Sequence, residues 1–416
     1  QPLDLAGAII SPLLALGAGW FLWWWSRRFV WPGRYAMLLL YGLSAILVHG
    51  TALGRPDQQS LVIVALLVAL AAEWRLQEKP TRGWGIVSGI SWGLALWVSL
   101  YEPLILLVAL LLSLALAARS QLTAPARRPG WWILLGIIIL AALVERRLPE
   151  WPAAEPFFAN WSGTIGELRP LGLTNPAWLH WSGGLLLLSP LLLPLARWRR
   201  LLPWTFVSLL ALSFLLTLWQ ARWGYFFATV FLFTVPAQLA LVRPSWLAAG
   251  AVLGSLLPLL LFWDQSFWPN DEVAERRAAE RIALTQWRAV ASSLAATEPG
   301  PILAPWWLAP ATAYWSGQPG VAGSSHESLP GIVASARFYL SISPEEATEI
   351  MRRHRVRWVL ADESDRVATN SSAILGIPVP AEALCLRLDG APSEVPSFLE
   401  FIVKNGSCVL YGRSEP

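Results

Sequence analysis

Two carboxylates and one guanidinium stand out in an otherwise apolar chain. Asp57 lies in HGTALGRPDQQSL at 49–61, Glu167 closes TIGE at 164–167, and Arg222 sits in WQARWGYF at 219–226. Carboxylates from two separate loops can hold a hard divalent cation through oxygen and leave coordination positions open for a phosphate. A fixed guanidinium nearby matches the oxygens of that phosphate in a fork. On spacing alone, solvated loop charges remain the competing reading.

The elements that must position these side chains are membrane-length apolar segments. Of 416 residues, 55% are hydrophobic and 14% charged, and the mean hydropathy is +0.50. This excludes an ordinary soluble domain and predicts a multi-pass helical membrane bundle. Ten apolar segments are read, at 5–25, 35–50, 60–74, 84–101, 103–118, 131–145, 183–197, 203–219, 224–242 and 246–263. Many of the 27 tryptophans cluster at segment ends, as in WFLWWWSRR and PGWWILL, where an amphipathic ring suits the headgroup level. After Trp263 charge, Pro, Gly and Ser rise. The predicted organisation is therefore a membrane domain over 1–263, with a long external loop at 146–182, and an extracytoplasmic soluble domain over 264–416. The first residue is Gln1 and an apolar run follows almost at once, which suggests an incomplete N-terminus.

The charges between segments alternate, except that the long loop also carries Arg146, Arg147 and Arg169. Basic residues follow the first, third, fifth, seventh and ninth segments, beginning with Arg27 and Arg28 and ending with Arg243. The positive-inside rule makes those loops cytoplasmic. The loops holding Asp57, Glu102, Glu167 and Arg222, and the tail, then share the opposite face. The calculated pI of 9.3 thus reflects topology, and no nucleic-acid partner is implied.

His49, His180, His326 and His354 show no paired zinc spacing. His49 and Arg55 precede Asp57 closely enough to reach the same site. Glu102, between Tyr101 and Pro103, reads as an interfacial helix breaker or as an additional acid near the site. His326, in SGQPGVAGSSHESLPG, reads as a surface-loop residue or as a donor or acceptor contact. In the tail, helices are expected from Asp271 and over SPEEATEIMRRHR, where Ser343 caps, Pro344 takes the first helical position and Glu346 closes a capping box. Strands are expected over 357–361, ILAPWW and SCVLYGR, giving a small mixed α/β domain. Cys385 and Cys408 leave one disulfide open.

Three stretches together resemble a known family. HGTALGRPDQQSL is similar to the second acidic loop of GT-C class membrane glycosyltransferases, and of the oligosaccharyltransferase catalytic subunit in particular, where a Gly precedes an Asp-x-Asp by three residues. TIGE resembles that family's Thr-Ile-x-Glu signature in the long external loop. PILAPWWLAPATAYWSGQPGVAG at 301–323 resembles the start of its soluble domain around Trp-Trp-Asp-Tyr-Gly. The departures are specific: Gln59 stands at the second acidic place, and Leu308, Ala309 and Pro310 replace Asp, Tyr and Gly after Trp306 and Trp307. The family's first acidic loop has no counterpart. The resemblance implies Mn²⁺ or Mg²⁺ on Asp57 and Glu167, donor phosphate on Arg222, and acceptor contacts from Glu167, Trp306 and Trp307. It implies an inverting transfer of a sugar or oligosaccharide from a polyprenyl-(pyro)phosphate donor to a protein, lipid or glycan acceptor. The expected location is the outer face of a bacterial inner membrane. An inactive relative, a transporter and a structural membrane protein are the rival classes.

Overall fold

The structure, a computed structural model, describes residues 2–55, 58–117, 119–146, 156–388 and 395–414. It divides into two compact units. The described residues up to 146 and from 167 to 268 form one; those from 156 to 166 and from 269 onward form the other.

The first unit is helical. Its elements are α1 (Pro2–Trp25), α2 (Trp31–Leu43), α3 (Ala45–Gly50), α4 (Gln58–Glu78), α5 (Arg82–Val98), α6 (Tyr101–Ala117), α7 (Arg119–Leu122) and α8 (Arg128–Glu145). Helix α9 (Phe158–Thr164) belongs to the second unit. The first unit resumes with α10 (Ala177–Ser182), α11 (Leu185–Trp198), α12 (Trp204–Trp219), α13 (Gly224–Leu239) and α14 (Ser245–Phe267). Among the described residues four helices are long and apolar enough to cross a membrane: Asp4–Arg28, Gln58–Glu78, Arg128–Glu145 and Trp246–Phe267. Tyr101–Ala117, Leu185–Trp198 and Trp204–Trp219 are shorter apolar helices. The segment read at 35–50 is two helices, because Ser44 adopts an extended conformation between them. The Leu43 carbonyl at that break accepts a hydrogen bond from Trp263 Nε1 at 2.8 Å.

Helix α13 is the centre of this unit, with every residue from Gly224 to Leu239 buried. A helix that is apolar on all sides belongs inside a bundle. The surrounding helices turn other apolar residues outward, among them Leu116, Leu143 and Leu253. Apolar surface both inside and outside is what a lipid solvent requires, since lipid tails solvate leucine as well as a protein core does.

Helices α4, α5 and α8 are held together by Glu73 and Ser88, which sequence reading passed over, and by Arg127, one of the basic residues read after the fifth segment, which is buried here. Arg127 Nη1 lies 2.7 Å from Glu73 Oε2, and Ser88 Oγ donates to Glu73 Oε1 at 2.6 Å. Around this pair, Gly85, Gly89 and Gly130 let α5 and the start of α8 approach backbone to backbone. A Cβ at Gly89 would collide with the Gly130 carbonyl, and one at Gly130 with that of Gly85.

The second unit is a four-stranded sheet between two helical layers. Its remaining elements are α15 (Asp271–Ser293), β1 (Ile302–Leu303), α16 (Ala309–Ser316), α17 (Leu329–Leu340), α18 (Pro344–Arg353), β2 (Trp358–Ala361), α19 (Ser364–Leu375), α20 (Leu384–Leu388), β3 (Leu399–Asn405) and β4 (Cys408–Arg413). The strand order is β1-β2-β4-β3, with β1 and β2 parallel and the other pairs antiparallel. Alternate residues of β2 serve two cores. Trp358 and Leu360 join Val290, Leu294 and Ile332; Val359 and Ala361 join Phe338, Met351 and Val367. This is the period-2 pattern of a strand covered on both faces.

Several expectations need correction here. The ILAPWW strand shrinks to Ile302–Leu303, and Trp306 and Trp307 lie in the turn that follows. Strand β3 was not anticipated, because its face residues Glu400, Phe401, Ile402 and Lys404 are exposed and its alternation is weak. The capping box is half made: Ser343 Oγ accepts from Glu346 N at 3.3 Å and donates to Glu345 at 2.6 Å, but the Glu346 carboxylate does not return a bond to the Ser343 backbone N–H. The long loop is not a single appendage of the first unit, since Phe158–Thr164 packs with the second. Cys385 and Cys408 are both buried free thiols, so the disulfide is not formed.

Two predictions follow from this packing. Gly89→Leu should destabilise the first unit by about 3 kcal/mol, the upper end of the range for overpacking; a melting temperature in detergent equal to that of the wild type would contradict the close approach. Burial pushes the Cys385 thiol up to about 11 and the Cys408 thiol up to about 12. Both therefore stay protonated and should resist iodoacetamide at pH 8 until the chain is denatured. Because these values are raised, any stability they contribute is complete below the ordinary thiol range and falls as pH rises through 11.

Candidate active site

The short turn Ala221–Trp223 that opens α13 is where the polar segments of the first unit meet. Arg222 Nε lies 2.7 Å from Glu102 Oε1, with side-chain exposures of 25% and 3%. The Nε–H is not aimed along that line, so the contact is an ion pair rather than a linear hydrogen bond. The other carboxylate oxygen, Glu102 Oε2, accepts from Ser99 Oγ at 2.5 Å. Glu102 also lies in the first turn of α6, where the unsatisfied backbone N–H groups favour a negative charge.

Each neighbour of Arg222 fixes a further segment. Ala221 N donates to Arg169 O at 2.9 Å, tying this turn to the chain just after the 3₁₀ turn Gly166–Leu168 that carries Glu167. Trp223 is fully buried, with its ring centroid 6.1 Å from that of Tyr101. At Gly224 any side chain would run into Trp181 and Ile46, so glycine is what lets α10 and α3 close on the start of α13. Tyr225 is buried, and its hydroxyl lies 2.8 Å from His49 Nδ1. The Arg55 guanidinium packs on the His49 imidazole. The Arg55 stretch is in turn held by α1, with Gly54 N donating to Ala8 O at 3.0 Å and Ser11 Oγ to Arg55 O at 2.7 Å.

The structure thus gathers Glu102, Arg222, His49 and Arg55, and the segment carrying Glu167, around six consecutive residues, 220–225. Asp57 lies outside the described residues. Glu167 is half-buried. The reading of Glu102 as a helix breaker is corrected: it is a buried acid committed to Arg222. Ser99 and Tyr225 were missed. The available signal was Glu102 itself, a carboxylate between two apolar runs with no nearby basic residue in sequence, which needs a partner from elsewhere.

Trp306, Trp307 and His326 belong to the second unit. Trp306 Nε1 donates to Asn370 Oδ1 at 2.8 Å, and its ring meets Trp161 of α9 edge-on at 5.8 Å. The Arg366 guanidinium lies 5.1 Å over Trp307. Leu308 and Ala309 are buried in the core below. His326 opens a short turn before α17, partly exposed.

Among the described residues no three His, Cys, Asp or Glu side chains come together as metal ligands. Glu102, the acid seen beside Arg222, is already engaged by Arg222 and Ser99. The described residues alone therefore do not complete a cation site.

No protein-family model and no curated protein sequence matches this chain. Its fold, however, is that of an archaeal oligosaccharyltransferase. The Archaeoglobus fulgidus oligosaccharyltransferase AglB, in complex with an inhibitory peptide and a dolichol-phosphate, superposes with a TM-score of 0.64 at 13% identity, over 99% of this chain and 64% of that one. The A. fulgidus enzyme tethered to an acceptor peptide containing the NVT sequon gives 0.63 at 14% identity, over 99% and 63%. Its complex with zinc and sulfate gives 0.61 at 15% identity, over 90% and 58%. The chain therefore spans less than two thirds of the length of the oligosaccharyltransferase it matches, and the GT-C resemblance read from three short motifs agrees with the fold.

Arg222→Met should leave the Glu102 carboxylate buried without a counter-charge, at a cost of about 2–3 kcal/mol, below the usual range for a fully buried pair because Arg222 is partly exposed. Adding Glu102→Gln should recover most of that loss. Denaturation of the purified single and double variants checks this, and equal stability of the two would contradict it.

Proposed function

We propose that this chain is a membrane glycosyltransferase of the oligosaccharyltransferase-like GT-C branch. In this reading it transfers a sugar or oligosaccharide from a polyprenyl-(pyro)phosphate donor to an acceptor at the extracytoplasmic face. The observation that carries the reading is the superposition over 99% of the chain on AglB bound to dolichol-phosphate. The meeting of Arg222, Glu102, His49 and the Glu167 segment at one end of α13 supports it. Nucleotide sugars are cytoplasmic, so a transferase facing outward needs its sugar on a lipid carrier.

In this reading Arg222 binds the lipid phosphate, the leaving group on which charge develops during transfer. Glu167 faces the acceptor from its short turn. Buried Glu102 holds Arg222, and Tyr225 holds His49. A divalent cation, Mn²⁺ or Mg²⁺, on Asp57 and Glu167 belongs to the same proposal, supported by the zinc and sulfate bound in the related enzyme. When bound it would supply Lewis-acid stabilisation of phosphate charge.

A second reading concerns the acceptor. Where the resemblance places the Asp that engages a sequon hydroxyl, this chain has buried Leu308, and the Trp306 N–H is taken by Asn370. These observations favour a lipid or glycan acceptor over an Asn-x-Ser/Thr peptide.

Incubating the full chain in vesicles with a polyprenyl-pyrophosphate oligosaccharide and each acceptor class tests both readings. Transfer should fall about 100-fold or more in Asp57→Ala and in Glu167→Ala, and should stop with EDTA and return with Mn²⁺. Full transfer by either variant would rule out the proposed site. A glycopeptide product would overturn the preference for a non-peptide acceptor.

A further inference from the structure

Among the described carboxylates at the candidate site Glu102 is the most deeply buried, at 2% exposure. Both its oxygens are engaged, Oε1 with Arg222 and Oε2 with Ser99. The contact runs through the buried Nε of Arg222, while the side chain as a whole is a quarter exposed, so the exposed part lies elsewhere on it. A long side chain on a three-residue turn would otherwise sample many rotamers, and ordering it on a ligand costs entropy. Fixed from behind, the fork is already oriented when an anion arrives.

We infer that Glu102 is a positioning residue: with Ser99 it holds the Arg222 guanidinium in one orientation for the donor's lipid phosphate. This rests on the donor reading above, and it deepens that reading by assigning the pre-orientation of Arg222 to a group from a different loop. It also makes a prediction opposite to that of simple coulombic reasoning. Neutralising Glu102 increases the local positive charge, so a role through charge alone would tighten phosphate binding. A positioning role weakens it.

Binding of polyprenyl phosphate to the full chain in nanodiscs distinguishes these outcomes, read beside thermal stability. Arg222→Gln should abolish binding. Glu102→Gln should weaken it about tenfold, equivalent to about 1.4 kcal/mol. Glu102→Asp, which keeps the charge but draws the carboxylate back by one methylene, should weaken binding at temperatures where the variant remains folded, and covers the case in which Glu102→Gln does not fold. The charge-swapped pair, Glu102→Arg with Arg222→Glu, should recover stability without recovering binding. Unchanged or tighter binding in Glu102→Gln and Glu102→Asp, with binding lost in Arg222→Gln, would overturn the positioning role and leave the donor reading intact. Recovery of binding in the swapped pair would reduce the contact to a structural one. Absence of binding in the wild type would overturn both readings together.

Discussion

A buried carboxylate has to be answered by a positive charge, and in this chain the answer comes from 120 residues away, at Arg222. Water no longer solvates Glu102, so its charge is tolerable only with the guanidinium and the Ser99 hydroxyl in place. That requirement sets where the α5–α6 turn lies relative to the start of α13. Once Arg222 is fixed, its neighbours on the same turn fix the other polar segments in the same way. Ala221 takes the segment after Glu167 by its backbone, Trp223 takes Tyr101, and Tyr225 takes His49. A single turn can organise so many segments because α13 is buried along its whole length and cannot itself shift.

The other end of the unit obeys the same electrostatic rule with a different purpose. Glu73 and Arg127 are almost fully enclosed, at 0% and 3% exposure, with no route for a ligand suggested by the packing around them. Their neighbours are glycines in backbone contact. The arrangement locks α4, α5 and α8 together. Two buried ion pairs in one bundle thus separate by their surroundings: one is sealed among close-packed helices, and the other has a partly exposed arginine at the meeting point of loops.

The division of the chain bears on the TIGE stretch. Thr164 and Ile165 belong to the unit containing the sheet, Ile165 packing against its core beside Trp161. Glu167 belongs to the helical unit, where the following residues are pinned to Arg222's turn. Composition places the domain boundary near Trp263, because that is where continuous apolar sequence ends. It cannot register that a short aromatic helix far upstream contributes Trp161 to the second core, since an aromatic residue in a loop has the same local appearance whichever core receives it.

The sequence by itself determined the class of the molecule and the whereabouts of its helices. Hydropathy points to both, because an apolar segment in a lipid solvent must form its backbone hydrogen bonds internally. Each of the ten segments contains a helix, one broken at Ser44, but among the described residues only four helices are long and apolar enough to cross a membrane. The mixed character of the sheet unit and the start of α18 were readable for the same reason: strand alternation and a Ser-Pro cap are local. The partners of single side chains were not readable. Glu102 carries no local mark separating an exposed helix breaker from a buried acid, and Cys385 and Cys408 carry none separating a bonded pair from two thiols. Those outcomes depend on which residues distant in sequence arrive at the same point and exclude water there. Only the tertiary structure decided them, because desolvation belongs to a place in the fold and not to a residue type.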